Sequence, residues 1–412
     1  MIQNKIIYEI TIFIKFSIFL YLLIHKNFEH FNDENTFNPD YKMKYYFPKL
    51  WKIKKYLKIY HFEKYIKNCK KKKKFNRIKI NNKFPFLSVC ICSYNSEKYI
   101  KNVISSILNQ SFQDFEIIII DDFSNDNSPK IIKSFEKQDN RLKLINHMRN
   151  YGIYRSRVDA INNSKGKYIL FIDADDMILN KHLFQILFFY SSFYNLDIIE
   201  FLVLYQVDGE NNLVRPLTQI LTHLHNYSKS IIEQPELSTI IFYIPQTHNY
   251  SSVICRTLWN KIYKKDIMLN SINYIGKKIY SKSYINYGED TIMNILNFHF
   301  AKNYTNINIY GYMYNVRNDS ISHFTDDIKK SHSLNLGIYH YLNFFYKYIL
   351  ELNLDRELLY LELVSFNKQI SLFKMNESVF FRKKMKSLFD RIIHDDKASS
   401  GFKKYIIKLI KN

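Results

Sequence analysis

Between residues 86 and 176 the chain repeats one pattern, a short apolar run that stops abruptly at polar residues and gives way to a helical period. Phe86 to Cys92 ends in Ser93-Tyr94-Asn95-Ser96-Glu97, and a helical pattern follows from Tyr99 to Leu108, with Ser96 placed as its N-cap. Phe115 to Ile120 runs into Asp121-Asp122-Phe123-Ser124, after which Ser128-Pro129 reads as N-cap and first helical position. Arg141 to Ile145 reads as a third strand and Arg155 to Asn162 as a third helix. Ser164-Lys165-Gly166-Lys167 is then the turn into a fourth strand, Tyr168 to Ile172. Strand and helix alternate over about 90 residues, which predicts a parallel, doubly wound sheet. Right-handed crossovers bring such strand ends to one edge. Tyr94, Asp122, Asp173 and Asp175 are therefore expected to share one cleft.

The fourth strand carries the strongest chemistry. Its five apolar and aromatic residues read as buried on both faces, yet Asp173-Ala174-Asp175-Asp176 follows at once. Unpaired carboxylates cannot enter that core, so they sit at the strand's C-terminal end, where open α/β sheets place their ligands. Two carboxylates two residues apart on extended backbone can turn toward one point. A hard cation, Mn²⁺ or Mg²⁺, held to phosphate oxygens suits that point. Standing alone, the stretch would read as a polar turn before the next helix. Convergence with the upstream strand ends points instead to a nucleotide-phosphate site.

Residues 84–322 resemble the family 2 glycosyltransferases, which have the GT-A fold. The resemblance rests on an ordered set of motifs: Ser93-Tyr94-Asn95, Asp121-Asp122-Phe123-Ser124-Asn125-Asp126, Asn150-Tyr151-Gly152 with Arg157, Lys165-Gly166-Lys167-Tyr168, and Asp173-Ala174-Asp175-Asp176. Leu258-Trp259-Asn260-Lys261 and Tyr287-Gly288-Glu289-Asp290 look like the family's acceptor-side motifs, and Tyr312 to Ser320 like its closing segment. The resemblance implies that Asp122 accepts a hydrogen bond from the nucleobase, that Tyr94 packs on the base and that Ser93 lies in the same nucleotide-sugar site. It implies Asp175 as the principal metal ligand, with Asp173 on the ribose or the metal. Arg157 would orient Asp175 or meet a phosphate; the competing reading is a solvated helix residue. The family usually has Ala-Arg-Asn around this arginine, whereas Ser156 and Val158 flank it here. Trp259 and Glu289 fall on the acceptor side.

An inverting transferase needs one carboxylate to take the acceptor hydroxyl's proton, and Asp290 is the candidate. The metal handles the leaving group, so no second catalytic carboxylate is required, unlike in a hydrolase. The competing reading makes Asp290 the N-cap of a helix over Thr291–Phe300. The expected activity is metal-dependent, inverting transfer of a sugar, of hexosyltransferase type. The donor would be a nucleotide diphosphate, with UDP implied by the resemblance, and the acceptor a hydroxyl of a glycan, lipid-linked or protein partner. A nucleotidyltransferase would share the cleft but usually carries a Gly-rich, Arg- or Lys-bearing loop after its first strand, and Ser93 to Glu97 has none. A non-catalytic protein binding membrane or nucleic acid through lysines is the other alternative.

Four cysteines form no CxxC pair, and Cys90 and Cys92 share one face of a strand, a geometry that disfavours their disulfide. The net charge of +22 is uneven: residues 42–83 hold sixteen lysines, Arg77 and one acid, Glu63, a net +16. No nucleic-acid module accompanies them, so specific nucleic-acid binding is not expected. Lysines beside an anionic membrane each gain about 1 kcal/mol. The apolar stretch Ile6–Ile24 has nearly the ~20 residues a bilayer span needs, interrupted by Glu9 and Lys15. Residues 1–30 are thus expected to be a membrane anchor or interfacial helix, and 31–83 a basic leader. Residues 323–412 read as a helical extension, with apolar stripes over Tyr339–Leu352 and Leu358–Phe373 and a short basic amphipathic end. Membrane association is expected, and if the stretch spans, the basic flank after it favours a cytoplasmic catalytic domain. A type II anchor would place that domain in the Golgi or ER lumen instead.

Overall fold

The structure, a computed structural model, describes residues 84–207, 214–216, 231–234, 257–278, 288–316, 328–351 and 379–411. The apolar stretch 6–24, the basic leader, the stripe Leu358–Phe373, and Tyr287 and Arg317–Ser320 of the motifs lie outside the described residues. The chain divides into two compact units, Met1–Lys83 with His182–Ile186, and Phe84–Lys181 with Leu187–Asn412. The second unit carries the sheet.

Its strands are β1 (Leu87–Ser93), β2 (Phe115–Asp121), β3 (Leu142–Asn146), β4 (Tyr168–Asp173), β5 (Met177–Ile178), β6 (Ile198–Val207), β7 (Val214–Pro216), β8 (Ile232–Glu233), β9 (Lys261–Lys264) and β10 (Asn303–Val316). Among the described residues the helices are α1 (Ile100–Leu108), α2 (Ser128–Gln138), α3 (Ile153–Asn163), α4 (Leu183–Tyr194), α5 (Lys265–Lys278), α6 (Glu289–Phe300), α7 (Ile328–Glu351), α8 (Val379–Ile393) and α9 (Ser400–Lys411). One sheet runs in the order β3-β2-β1-β4-β9-β6-β10-β5, with β7 on β6 and β8 on β10. β3, β2, β1 and β4 pair in parallel, as expected from their alternation with helices. β9 enters antiparallel between β4 and β6, and β10 pairs parallel with β6.

Register puts Cys90 beside Ile118 and Phe171, and Cys92 beside Ile120 and Asp173. Because side chains alternate across a strand, this one face carries both the core and the cleft. Cys90, Ile118, Ile169 and Phe171 pack into a single apolar cluster with α3, α5 and α6, and the cluster continues through α7, α8 and α9. Cys90 and Cys92 are free thiols, as their shared face suggests, and burial pushes the Cys92 thiol up to about 12.

Three helix starts differ from expectation. Ser96 does not cap α1: its carbonyl accepts the N–H groups of Tyr99 and Ile100 in a preceding turn, and Tyr99 is the N-cap. Its backbone N–H and hydroxyl are already engaged with Ser128 and Ser93. α2 begins at Ser128 with Asn127 as N-cap, Asp126 holding the Ser128 N–H and hydroxyl. α6 begins at Glu289 rather than Thr291, capped by Gly288 at φ 77°. Asp290 is therefore in the first turn and is not the cap.

Gly166 explains the Lys-Gly-Lys-Tyr turn. A Cβ there would lie 2.4 Å from the Ser88 nitrogen, so only glycine fits between the start of β4 and β1. Ser88 Oγ accepts the Gly166 N–H at 2.7 Å and donates to Glu116 at 2.6 Å, binding β1, β2 and β4 at the end opposite the cleft.

Candidate active site

At the C-terminal edge, two loops are stitched by side chains to backbone. The Asn95 N–H donates to Ser124 Oγ and the Asn125 N–H to Asn95 Oδ1, both at 2.9 Å. Ser93 is buried, its hydroxyl 2.7 Å from Ser96 Oγ, and its carbonyl accepts the Asp122 N–H at 2.8 Å. Tyr94 is exposed beside it.

Asp122 is buried and organises the loop after β3. Its Oδ1 accepts the Tyr151 N–H at 2.8 Å, and its Oδ2 accepts the Gly152 N–H at 2.7 Å. Gly152 caps α3 at φ 87°, a conformation that favours glycine. This accounts for the Asn-Tyr-Gly motif: it supplies backbone donors to the carboxylate. His147 Nδ1 lies 2.7 Å from Asp122 Oδ1 and its Nε2 lies 3.2 Å from Asp159 Oδ2. Nothing in the sequence singled out His147, because its partners lie 25 and 12 residues away.

Arg157 is buried, which removes the reading of a solvated helix residue. Its Nη1 donates to Glu289 Oε1 at 2.7 Å, and its Nη2 stands 3.6 Å from Asp173 Oδ1. A single guanidinium thus joins the end of β4 to the first turn of α6, across 132 residues of sequence. Burial pushes the carboxyls of Asp173 and Glu289 above the usual range; Arg157 pulls both down, and the charge of Asp290 pushes both up. Asp173 is raised further by Asp175. Asp290 is half-buried, and its Oδ1 accepts the Thr291 N–H at 2.7 Å.

Asp175 is half-buried, and its main-chain oxygen accepts from Asn315 Nδ2. Asp176 is turned inward, accepting from the Tyr312 hydroxyl at 2.7 Å and the Asn315 N–H at 2.8 Å. Burial, with the charges of Asp173 and Asp175, raises its carboxyl strongly. The Tyr312 hydroxyl also accepts the Asp173 N–H at 3.1 Å. β10 therefore fixes the backbone of the aspartate turn. Trp259 is buried behind it, stacked on Tyr312 and Tyr314 at 4.8 and 5.5 Å. Asn260 and Lys261 face away into a buried network: Asn260 Nδ2 donates to Glu200 at 2.8 Å, and Lys261 Nζ lies 3.3 Å from the same oxygen.

Among the described residues, no three His, Cys, Asp or Glu side chains form a metal-holding group by themselves. Asp173 and Asp175 offer hard oxygens in a place where neighbouring negative charge is incompletely offset. They fit a divalent cation whose remaining ligands come from a diphosphate.

The motif side chains gather at the C-terminal ends of parallel strands, and the family model for glycosyl transferase family 2 matches residues 88–259. Residues 88–259 are similar to the family 2 glycosyltransferases. An uncharacterized glycosyltransferase of Methanocaldococcus jannaschii is 37% identical over 133 residues, 32% of this chain and 46% of that protein. The glycosyltransferase GlyA of Streptococcus pneumoniae is 26% identical over 239 residues, 57% of this chain and 31% of that one. These matches span less than half the length of either relative. Among solved structures, the crystal structure of S. aureus TarS 1-349 in complex with UDP aligns with a TM-score of 0.51 at 19% identity. It covers 79% of this chain and 86% of that chain. That likeness concerns the glycosyltransferase fold.

Proposed function

We propose that the chain transfers a sugar from a nucleotide diphosphate, UDP, to an acceptor hydroxyl, with inversion and with Mn²⁺ or Mg²⁺ at Asp173 and Asp175. One observation carries the reading: Arg157 joins Asp173 at the end of β4 to Glu289 in the first turn of α6, beside Asp290, at one end of the sheet. A transferase needs both sets together, one for the donor's diphosphate and one for the acceptor's proton. The match to the family 2 model and a fold neighbour solved with UDP support the donor class.

Asp122 presents a carboxylate held by backbone donors to the nucleobase N–H, with Tyr94 against the base. When bound, the cation would neutralise charge that develops on the departing diphosphate. Asp290, at the start of α6, takes the acceptor proton as the hydroxyl oxygen attacks the anomeric carbon. The bond from that carbon to the diphosphate oxygen breaks on the opposite face, so the configuration inverts. Glu289 stays paired to Arg157 and holds the first turn of α6 in place, leaving Asp290 as the base. We further propose that the enzyme works at an anionic membrane, on the strength of the sixteen lysines in residues 42–83. Among the described residues no helix is long and apolar enough to cross a membrane.

A donor-hydrolysis screen across UDP-, GDP- and CMP-sugars, with each cation and with chelator, tests the function. Release of UDP from a UDP-sugar, dependent on Mn²⁺ or Mg²⁺, is expected. Turnover of no nucleotide sugar by the folded protein would refute it.

A further inference from the structure

Trp259 carries the largest side chain of the acceptor-side motifs, yet only 6% of its surface is exposed. A ring so enclosed has little face left for an acceptor. Its indole lies nearly parallel to the Tyr312 ring, with centroids 4.8 Å apart at 17°, and to the Tyr314 ring, 5.5 Å apart at 9°. Tyr312 and Tyr314 are alternate residues of β10, so their side chains leave the same face of the strand. One flat indole thus covers both rings and fixes where the buried Tyr312 ring stands.

Tyr312 in turn holds the aspartate turn. Its hydroxyl donates to Asp176 Oδ2 at 2.7 Å and accepts the Asp173 N–H at 3.1 Å, so both ends of Asp173–Asp176 meet one phenol. Asn315, next to Tyr314, donates its N–H to Asp176 Oδ1 at 2.8 Å and its side-chain amide to the Asp175 carbonyl. Tyr312 and Met313 then pair with Ile178 and Met177, which carries the contact on past the turn. Three aspartates share this short segment, and like charges at such range repel one another. A braced backbone keeps Asp173 and Asp175 in one arrangement before a cation arrives, and β10 supplies that brace.

We propose that Trp259 and Tyr312 are positioning residues for the cation site: the indole braces Tyr312, and Tyr312 braces the turn that presents Asp173 and Asp175. Trp259 then serves the donor's cation and does not touch the acceptor. The inference rests on the reading of those two aspartates as cation ligands. Groups that hold metal ligands in place govern affinity much as the ligands do, and their loss costs about 10–100-fold.

The test titrates UDP calorimetrically into the full-length wild type, Trp259→Leu, Trp259→Phe and Tyr312→Phe, once in Mn²⁺ and once in chelator, with the melting temperature of each. The readout is the factor by which Mn²⁺ raises UDP affinity, which a general loosening of the cleft would not single out. Trp259→Leu and Tyr312→Phe should each lower that factor about tenfold while affinity in chelator stays constant. Trp259→Phe keeps a ring on Tyr312 and should recover most of the loss. An undiminished factor in folded Trp259→Leu would overturn the inference and return Trp259 to the acceptor side. Equal losses in Mn²⁺ and in chelator would overturn it as well. Should Trp259→Leu fail to fold, Tyr312→Phe, which removes a single oxygen, carries the test, and an unchanged factor in it overturns the inference. A wild type whose UDP affinity Mn²⁺ does not raise would instead overturn the cation reading on which the inference rests.

Discussion

Replacing Arg157 by Met removes the one cation shared by Glu289 and Asp173. The pair is deeply buried, Arg157 at 4% and Glu289 at 7% exposure, so water cannot take over the lost interaction. Breaking a buried pair from one side costs about 3–5 kcal/mol, against about 0–1 for a surface pair. Burial already pushes the Glu289 carboxyl upward against the pull of Arg157. Without Arg157 that carboxyl gains a proton near neutral pH instead of remaining as a bare charge, which places the expected cost at the lower end, about 3 kcal/mol. A second change, Glu289→Met, should recover part of that loss, because an apolar pair of similar volume replaces a pair that is expensive to desolvate. The coupling in the double-mutant cycle is then about 2 kcal/mol. Equilibrium unfolding in guanidinium chloride of the wild type, both single variants and the double variant measures it. Arg157→Met within about 0.5 kcal/mol of wild type, or additive single effects, would refute the buried link between β4 and α6.

Gly166→Ala should cost at least about 2 kcal/mol in the same assay, since its Cβ would meet the Ser88 backbone at 2.4 Å and a strand must move. Gly288→Ala carries a smaller cost of about 1–2 kcal/mol from its left-handed backbone. Its Cβ would meet Tyr341 at 3.4 Å, an ordinary contact, so the cost is backbone strain and UDP affinity should stay constant. If residues 1–83 hold the protein at an anionic membrane, it should sediment with phosphatidylserine liposomes at low salt, and high salt should release it if the contact is interfacial. A full-length protein left in the supernatant at low salt would end that reading.

The strand ends were legible because short apolar runs ended abruptly in polar residues. Ile117 to Ile120 cannot stop at two aspartates unless the strand reaches an edge there, and the same holds for Tyr168 to Asp173. Local periodicity also placed α1, α2 and α3 within a residue or two. It could not show that β9 inserts between β4 and β6, because that pairing joins residues about a hundred apart and nothing in Lys261–Lys264 announces it. Arg157 was ambiguous for the same reason: its burial is set by Glu289, 132 residues away. His147 gave no pattern at all. The Trp-Asn-Lys motif was visible as a motif, yet its Asn and Lys serve the buried Glu200 network, a role that only the packing of β6 against β9 reveals.

Asp290→Asn provides the most direct measurement of the whole scheme. Release of UDP from the UDP-sugar that the wild type accepts, with water standing in for the acceptor, is compared with UDP affinity measured separately. General bases contribute typically about 10²–10⁴, so turnover is expected to fall at least ~100-fold with donor affinity unchanged. Because Gly288 is the cap of α6, the substitution should leave stability nearly untouched. A folded Asp290→Asn protein that turns over donor at the wild-type rate would contradict the assignment of the cleft's chemistry to the start of α6.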